Sequence, residues 1–219
     1  MKETDIKLAF YVSSKATRLN KILDDKNFDL LNAVKVIFSD DDKNIYLKEK
    51  LNELNIEYVL LNYKDIVAER SKKNLVLSNT LLNTLTRYNI DYCFSFGAHI
   101  LKGELLKEYE NRIINFHPSI LPAYPGIMSI DQAVEGNANL LGNTAHFIDS
   151  GVDTGPIIMQ SVIHSTAFRE NGYDAVLDIQ IDMLYKIYDL LRKGKIKVVD
   201  NRVRIEGANY NTYSIFPYL

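Results

Sequence analysis

The residues with most to offer chemically stand together at 114–122, Ile-Asn-Phe-His-Pro-Ser-Ile-Leu-Pro. An apolar run leads into them, so the stretch reads as the end of a strand. Strand side chains alternate faces, which puts Asn115 and His117 on one side and Phe116 on the other. A carboxamide and an imidazole at the carboxyl edge of an α/β sheet suit a carbonyl under attack, because both can donate to the developing oxyanion. Taken alone, the pair fits a turn-capping Asn and a His satisfied by main chain better than a catalytic pair. It is not alone. Residues 146–156 read His-Phe-Ile-Asp-Ser-Gly-Val-Asp-Thr-Gly-Pro. Asp153 there lies in a glycine-flanked loop between two strand-like runs. A carboxylate beside His117 would hold the ring in one orientation and favour its protonated form. Asp-Thr-Gly is equally a turn sequence, and Asp149 in the same loop reads as a plain turn carboxylate.

The elements that must position these groups follow from hydrophobic period. The first half alternates apolar runs with amphipathic stretches: strands at 6–12, 33–38, 57–61, 91–96 and 112–116, a helix starting over 19–23, and helices at 44–54 and 79–88. That alternation predicts βαβ units and a parallel sheet. Four of the five prolines (Pro118, Pro122, Pro125 and Pro156) and half of the ten glycines then crowd into one stretch. Beyond it, 144–148 and 157–163 should pair antiparallel, and 171–191 carries a helical stripe. Residues 196–199 and 203–205 flank Asp200-Asn201-Arg202 as a hairpin. Tyr210, Tyr213, Phe216 and Tyr218 end the chain, either folded back on it or covering a partner subunit. The expected organisation is one α/β domain with a mostly parallel sheet over 1–190, and a small C-terminal β-hairpin extension with an aromatic tail over 191–219.

Composition excludes other classes. The chain has 219 residues, 47% hydrophobic, with 26 basic against 28 acidic side chains and a net charge of −2, so it carries no basic footprint for nucleic acid. Its one cysteine, Cys93, reads as a core residue; it can form no internal disulfide and hold no zinc alone. The apolar run at 8–12 is too short for a signal peptide or a membrane span, and Glu3 and Asp5 precede it. A soluble cytoplasmic protein is expected.

Four motifs taken together resemble a known family. They are Asn115-x-His117-Pro-Ser-x-Leu-Pro, then Tyr124-Pro-Gly126, then Gly142-x-Thr-x-His146-Phe, then Val152-Asp153-x-Gly-Pro-Ile. Their order and spacing are similar to those of the formyltransferase superfamily, whose domain is Rossmann-like. The resemblance implies formyl transfer from 10-formyltetrahydrofolate to a primary amine, with no metal. It makes Asn115, His117 and Asp153 the catalytic residues and His146 a support behind them. It places the folate along Gly97, His99, Ile100 and Leu101 and along Asp149, Gly151 and Val152, with the pterin held largely by main-chain groups. A solvent-facing His99 is an equal alternative.

Two departures bear on the acceptor. The glycinamide enzymes of this family carry a glycine-rich phosphate loop after the first strand, whereas 13–18 here is Ser-Ser-Lys-Ala-Thr-Arg. Lys15 and Arg18 could bind a phosphate by side chain instead, or be solvated loop charges. After Tyr124-Pro125-Gly126, Ile127-Met128-Ser129 replaces the histidines of the glycinamide enzymes. On these grounds the sequence predicts a nucleotide-linked amino dideoxy sugar as acceptor, with Lys15, Arg18, Tyr124, Met128 and Ser129 contacting it. Glycinamide ribonucleotide is the alternative, and a formyltetrahydrofolate deformylase or a silent folate- or nucleotide-binding relative stands further off. A homodimer built on the C-terminal segment is expected, by analogy with sugar-modifying relatives.

Overall fold

Strand β1 (Leu8–Val12) is buried at every position, as a parallel strand covered on both faces must be. The computed structural model describes residues 4–212, 215 and 216. After β1 come α1 (Thr17–Asp24), α2 (Phe28–Ala33), β2 (Val34–Ser39), α3 (Leu47–Glu53), β3 (Glu57–Leu60), α4 (Arg70–Arg87), β4 (Tyr92–Phe96), α5 (Glu104–Glu108) and β5 (Ile113–His117). Then follow α6 (Ser129–Glu135), β6 (Leu140–Phe147), β7 (Ile157–His164), α7 (Ser165–Asn171), α8 (Asp174–Arg192), β8 (Ile196–Val199) and β9 (Arg202–Ile205). The strands form a mostly parallel seven-stranded sheet of order β3-β2-β1-β4-β5-β6-β7, plus the β8–β9 ribbon. Among the described residues no helix is long and apolar enough to cross a membrane.

The chain divides into two compact units. The first comprises Asp5–Asn115 with Phe147–Gly151. In it β1 lies between β2 and β4, parallel to both, with Phe10 opposite Ile37 and Phe94. The chain winds outward from β1 through β2 to β3, then returns to the other side of β1 at β4. The carboxyl ends of β1 and β4 therefore form a switch point, the place where open α/β sheets bind ligands. Helix α4 buries Leu77, Leu81 and Leu85 at a spacing of four, and they pack with Ala9, Val36, Cys93 and Ile113 in the core.

The second unit comprises Phe116–His146 and the described residues from Val152 onward, with Thr4. Here β6 and β7 pair antiparallel from Leu140–His164 to His146–Ile157. Gly142 belongs to that pair because a Cβ there would lie 2.0 Å from the Ser161 carbonyl oxygen. Helix α8 buries Val176, Leu184, Ile187 and Leu191.

Several expectations are corrected. The helix expected at 171–191 forms as α8, Asp174–Arg192, and is preceded by α7, which was not foreseen and ends at Gly172 with a φ of +65°. Helix α4 starts at Arg70, well before 79, and α2, α5 and α6 were not foreseen. The hairpin forms with Asp200 and Asn201 as its two turn residues, at φ of 50° and 57°, the left-handed pair of a type I′ turn. Of the tail, Tyr210 folds back on it: the Ile205 N–H donates to the Tyr210 hydroxyl at 2.9 Å. The expectations for Tyr213 and Tyr218 lie outside the described residues.

Candidate active site

His117 closes β5 and is 5% exposed. The loop after it is pinned by polar side chains. Thr144 on β6 donates to the Ser119 carbonyl at 2.7 Å and accepts from the Leu121 N–H at 3.0 Å. Gln160 on β7 donates to the Leu121 carbonyl at 2.9 Å and to Thr144 Oγ1 at 2.9 Å. The Ser119 hydroxyl donates to the Ala123 carbonyl at 2.6 Å. A loop held by its own backbone groups in this way delivers Tyr124 back beside His117. The Tyr124 carbonyl accepts from His117 Nε2 at 2.8 Å.

On the other edge of the ring stands Asp153. Its Oδ2 lies 3.3 Å from His117 Nδ1 and accepts from the Gly126 N–H at 2.8 Å, while Oδ1 faces His146 Nε2 at 3.5 Å. Both nitrogens of His117 thus face acceptors, and a ring bearing a proton on each satisfies both. Burial pushes the Asp153 carboxyl upward. The bond from His146, the Gly126 N–H and the charge on His117 outweigh that, and hold it below the usual carboxylate range. Asp153 and Tyr124 both adopt left-handed φ, 54° and 53°. Uncommon for non-glycine residues, such conformations mark backbone set by its surroundings. The product is a carboxylate ionised at neutral pH, set against an imidazole that it holds in one orientation.

Asn115 is half-buried on β5, two residues before His117 and so on the same face of that strand. His146 is 2% exposed and serves Asp153 from behind. Asp149 accepts from the Gly151 N–H at 3.0 Å, a turn within the loop. Val152 is half exposed. Of the expected folate segment, Ile100 is exposed, whereas Leu101 is 4% exposed and packs in the core of its unit. Gly97 has no room for a side chain, since its Cβ would lie 1.9 Å from the Tyr11 ring. His99 does not stand loose in solvent: Nδ1 lies 2.7 Å from Asp40 Oδ2, and its ring stacks on Tyr63.

The expected acceptor contacts scatter. Lys15 is exposed. Arg18 lies over the Phe96 ring, 4.2 Å from its centroid, and burial lowers its pKa to about 10, so it stays charged at neutral pH. Met128 is exposed. The Tyr124 side chain packs against the small core of Ile130, Ala133, Leu141 and Val176. Ser129 is turned inward, 2% exposed, its hydroxyl donating to the Pro118 carbonyl at 3.2 Å. Thr144 and Gln160 were missed as positioning residues; the Gly-x-Thr-x-His motif carried the only signal, for Thr144.

Known proteins share this arrangement of sequence and fold. The chain is similar to a formyltetrahydrofolate deformylase of Haemophilus influenzae, 31% identical over 71% of this chain and 55% of that protein. It is similar to a phosphoribosylglycinamide formyltransferase of Bacillus subtilis, 40% identical over 38% of this chain and 43% of that protein. It thus spans about half the length of these curated relatives. Among solved structures, glycinamide ribonucleotide transformylase 1 from Symbiobacterium toebii superposes with a TM-score of 0.77 at 27% identity, covering 91% of this chain and 93% of that one. Residues 6–176, from β1 into α8, match the formyl transferase model, and the chain belongs to that family.

Proposed function

We propose that the protein transfers the formyl group of 10-formyltetrahydrofolate to the primary amine of glycinamide ribonucleotide. The observation that carries the transfer is the buried His117–Asp153 pair, 3.3 Å apart, with Asn115 two residues back on the same strand. The amine lone pair attacks the formyl carbon, and the carbonyl π electrons move onto oxygen. N–H groups of Asn115 and His117 donate to that oxyanion, the His117 Nε2–H leaving the Tyr124 carbonyl to do so. The amine nitrogen loses its proton to Asp153, directly or through water. As the oxyanion collapses, the bond from the formyl carbon to N10 breaks and N10 takes a proton. In this reading the folate lies along Gly97, His99, Ile100 and Leu101 and along Asp149, Gly151 and Val152.

The acceptor differs from the one the sequence alone predicts. The relatives named above support glycinamide ribonucleotide over a nucleotide-linked amino sugar. The loop after β1 supports it too: Ser14 and Ala16 hold φ of 51° and 48°, the left-handed turns expected of glycine. Helix α1 opens at Thr17 with no side-chain hydrogen bond from its cap residue, Ala16, and a helix N-terminus favours an anion. The missing glycines therefore do not remove a phosphate cradle. An amino-sugar nucleotide is the second reading, favoured by Ile127 and Met128, 84% and 65% exposed, which offer an apolar face to a base.

The test is turnover of 10-formyltetrahydrofolate with glycinamide ribonucleotide, with a panel of nucleotide-linked amino sugars, and with water alone. Fastest formylation of glycinamide ribonucleotide is expected, lost in His117→Ala. Faster turnover of a sugar nucleotide would restore the second reading. Formate release without acceptor, at a rate matching the best acceptor, would make the protein a deformylase.

A further inference from the structure

At the switch point of the first unit, three side chains from separate segments converge on one buried carboxylate. Asp40 follows β2 directly and its side chain is 1% exposed. Its Oδ2 accepts from the Tyr11 hydroxyl, from the Ser13 hydroxyl at 2.8 Å and from His99 Nδ1 at 2.7 Å. Burial, and then the charge on Asp40, push the Tyr11 phenol well above its ordinary pKa, so it remains a donor. The Ser13 hydroxyl is used twice, since Oγ also accepts from the Ala98 N–H at 2.7 Å. The turn after β4 is therefore tied to Asp40 twice: by the His99 ring, and by the Ala98 main chain through Ser13. Tyr63 stacks on the His99 ring with centroids 3.5 Å apart, fixing its plane. Gly97 leaves the space that the Tyr11 ring fills.

This is a costly way to hold a turn. Asp40 Oδ1 is buried without a hydrogen-bond partner among the described residues, and a buried carboxylate is seldom a net source of stability against a well-packed apolar residue. A group kept at such a cost is better explained by what it orients. We propose that Asp40 is a positioning residue for the folate co-substrate, acting through His99, Tyr11 and Ser13 to fix the turn at 97–99. This rests on the folate reading given above. Asp40 touches no substrate itself. Its loss should weaken folate binding and leave the acceptor and the chemical step nearly untouched.

Asp40→Ala, Asp40→Asn and Tyr11→Phe are purified as full chains, checked for folding by circular dichroism, and titrated calorimetrically with 5-formyltetrahydrofolate, which has no formyl group on N10 to transfer. In Asp40→Ala the Kd for that folate and the KM for 10-formyltetrahydrofolate should rise about tenfold, while kcat and the acceptor KM change less than about threefold. Asp40→Asn, which keeps one acceptor oxygen, should recover part of the loss, and Tyr11→Phe should lose less than Asp40→Ala. Should Asp40→Ala not fold, Ser13→Ala takes its place, because it removes the hydroxyl that joins Asp40 to the Ala98 N–H. Unchanged folate affinity in the folded variants, with the wild type binding folate, overturns the inference and leaves the proposed function standing. A wild type that binds no folate overturns both.

Discussion

Replacing Asp153 with Asn tests whether its charge, rather than its shape, drives the reaction. The amide keeps an oxygen for the Gly126 N–H, now 2.8 Å away, and for His117. What disappears is a negative charge 3.3 Å from His117 Nδ1. At an effective dielectric of about 20, unit charges at that distance attract by about 5 kcal/mol. The remaining amide contact and the relief of burying a carboxylate offset about half. Roughly 2.7 kcal/mol of transition-state stabilisation is then lost, about a hundredfold in kcat, with substrate KM values little changed. The assay is the absorbance change as 10-formyltetrahydrofolate is consumed at saturating acceptor. Stability gives a second reading. The Asp153 carboxyl sits below its ordinary range, so its contribution is complete above the unfolded-state pKa of about 4 and is lost as the pH falls through the folded value. The wild-type advantage in Tm over Asp153→Asn at pH 7 should therefore close on acidification below about pH 4. A folded Asp153→Asn with kcat within about threefold of wild type would refute the role given to the charge.

Gly142→Ala should cost about 3 kcal/mol or prevent folding, because the methyl would meet the Ser161 carbonyl oxygen at 2.0 Å and Ile120 Cγ1 at 2.9 Å; urea denaturation measures it, and an unchanged midpoint discards the packing described for β6 and β7. The Cys93 thiol, fully buried and pushed up to about 12 by burial, should resist thiol reagents at pH 8 in the native protein and react at once in denaturant. A homodimer built on the C-terminal segment should show twice the protomer mass by light scattering, and the protomer mass once residues 208–219 are removed. A full chain at protomer mass at high concentration rejects that assembly.

What the sequence disclosed and what it hid divide along physical lines. Strands β1, β2, β4 and β5 are apolar nearly throughout because both faces are covered, and such runs stand out from polar helices on either side. The start of α4 did not, since Arg70-Ser-Lys-Lys-Asn74 carries no apolar stripe. His117 and Asp153 were legible through their motifs, but no spacing could say that a loop braced by Thr144 brings them within 3.3 Å. Residue type also misled: Ser129 and Leu101 lie in segments expected to face ligands, yet pack inward. Asp40 was the least visible. It heads the run Asp40-Asp41-Asp42, and three consecutive carboxylates read as a solvated charge cluster. Sheet order separates them. Because β2 lies beside β1, and β1 beside β4, the first residue past β2 emerges among the carboxyl ends of its neighbours, where Ser13 and His99 await it. Asp42, two residues on, pairs instead with exposed Lys64. Identical side chains two positions apart thus take opposite roles, and what divides them is strand order, a property of pairings 59 residues apart in the case of His99 and Asp40.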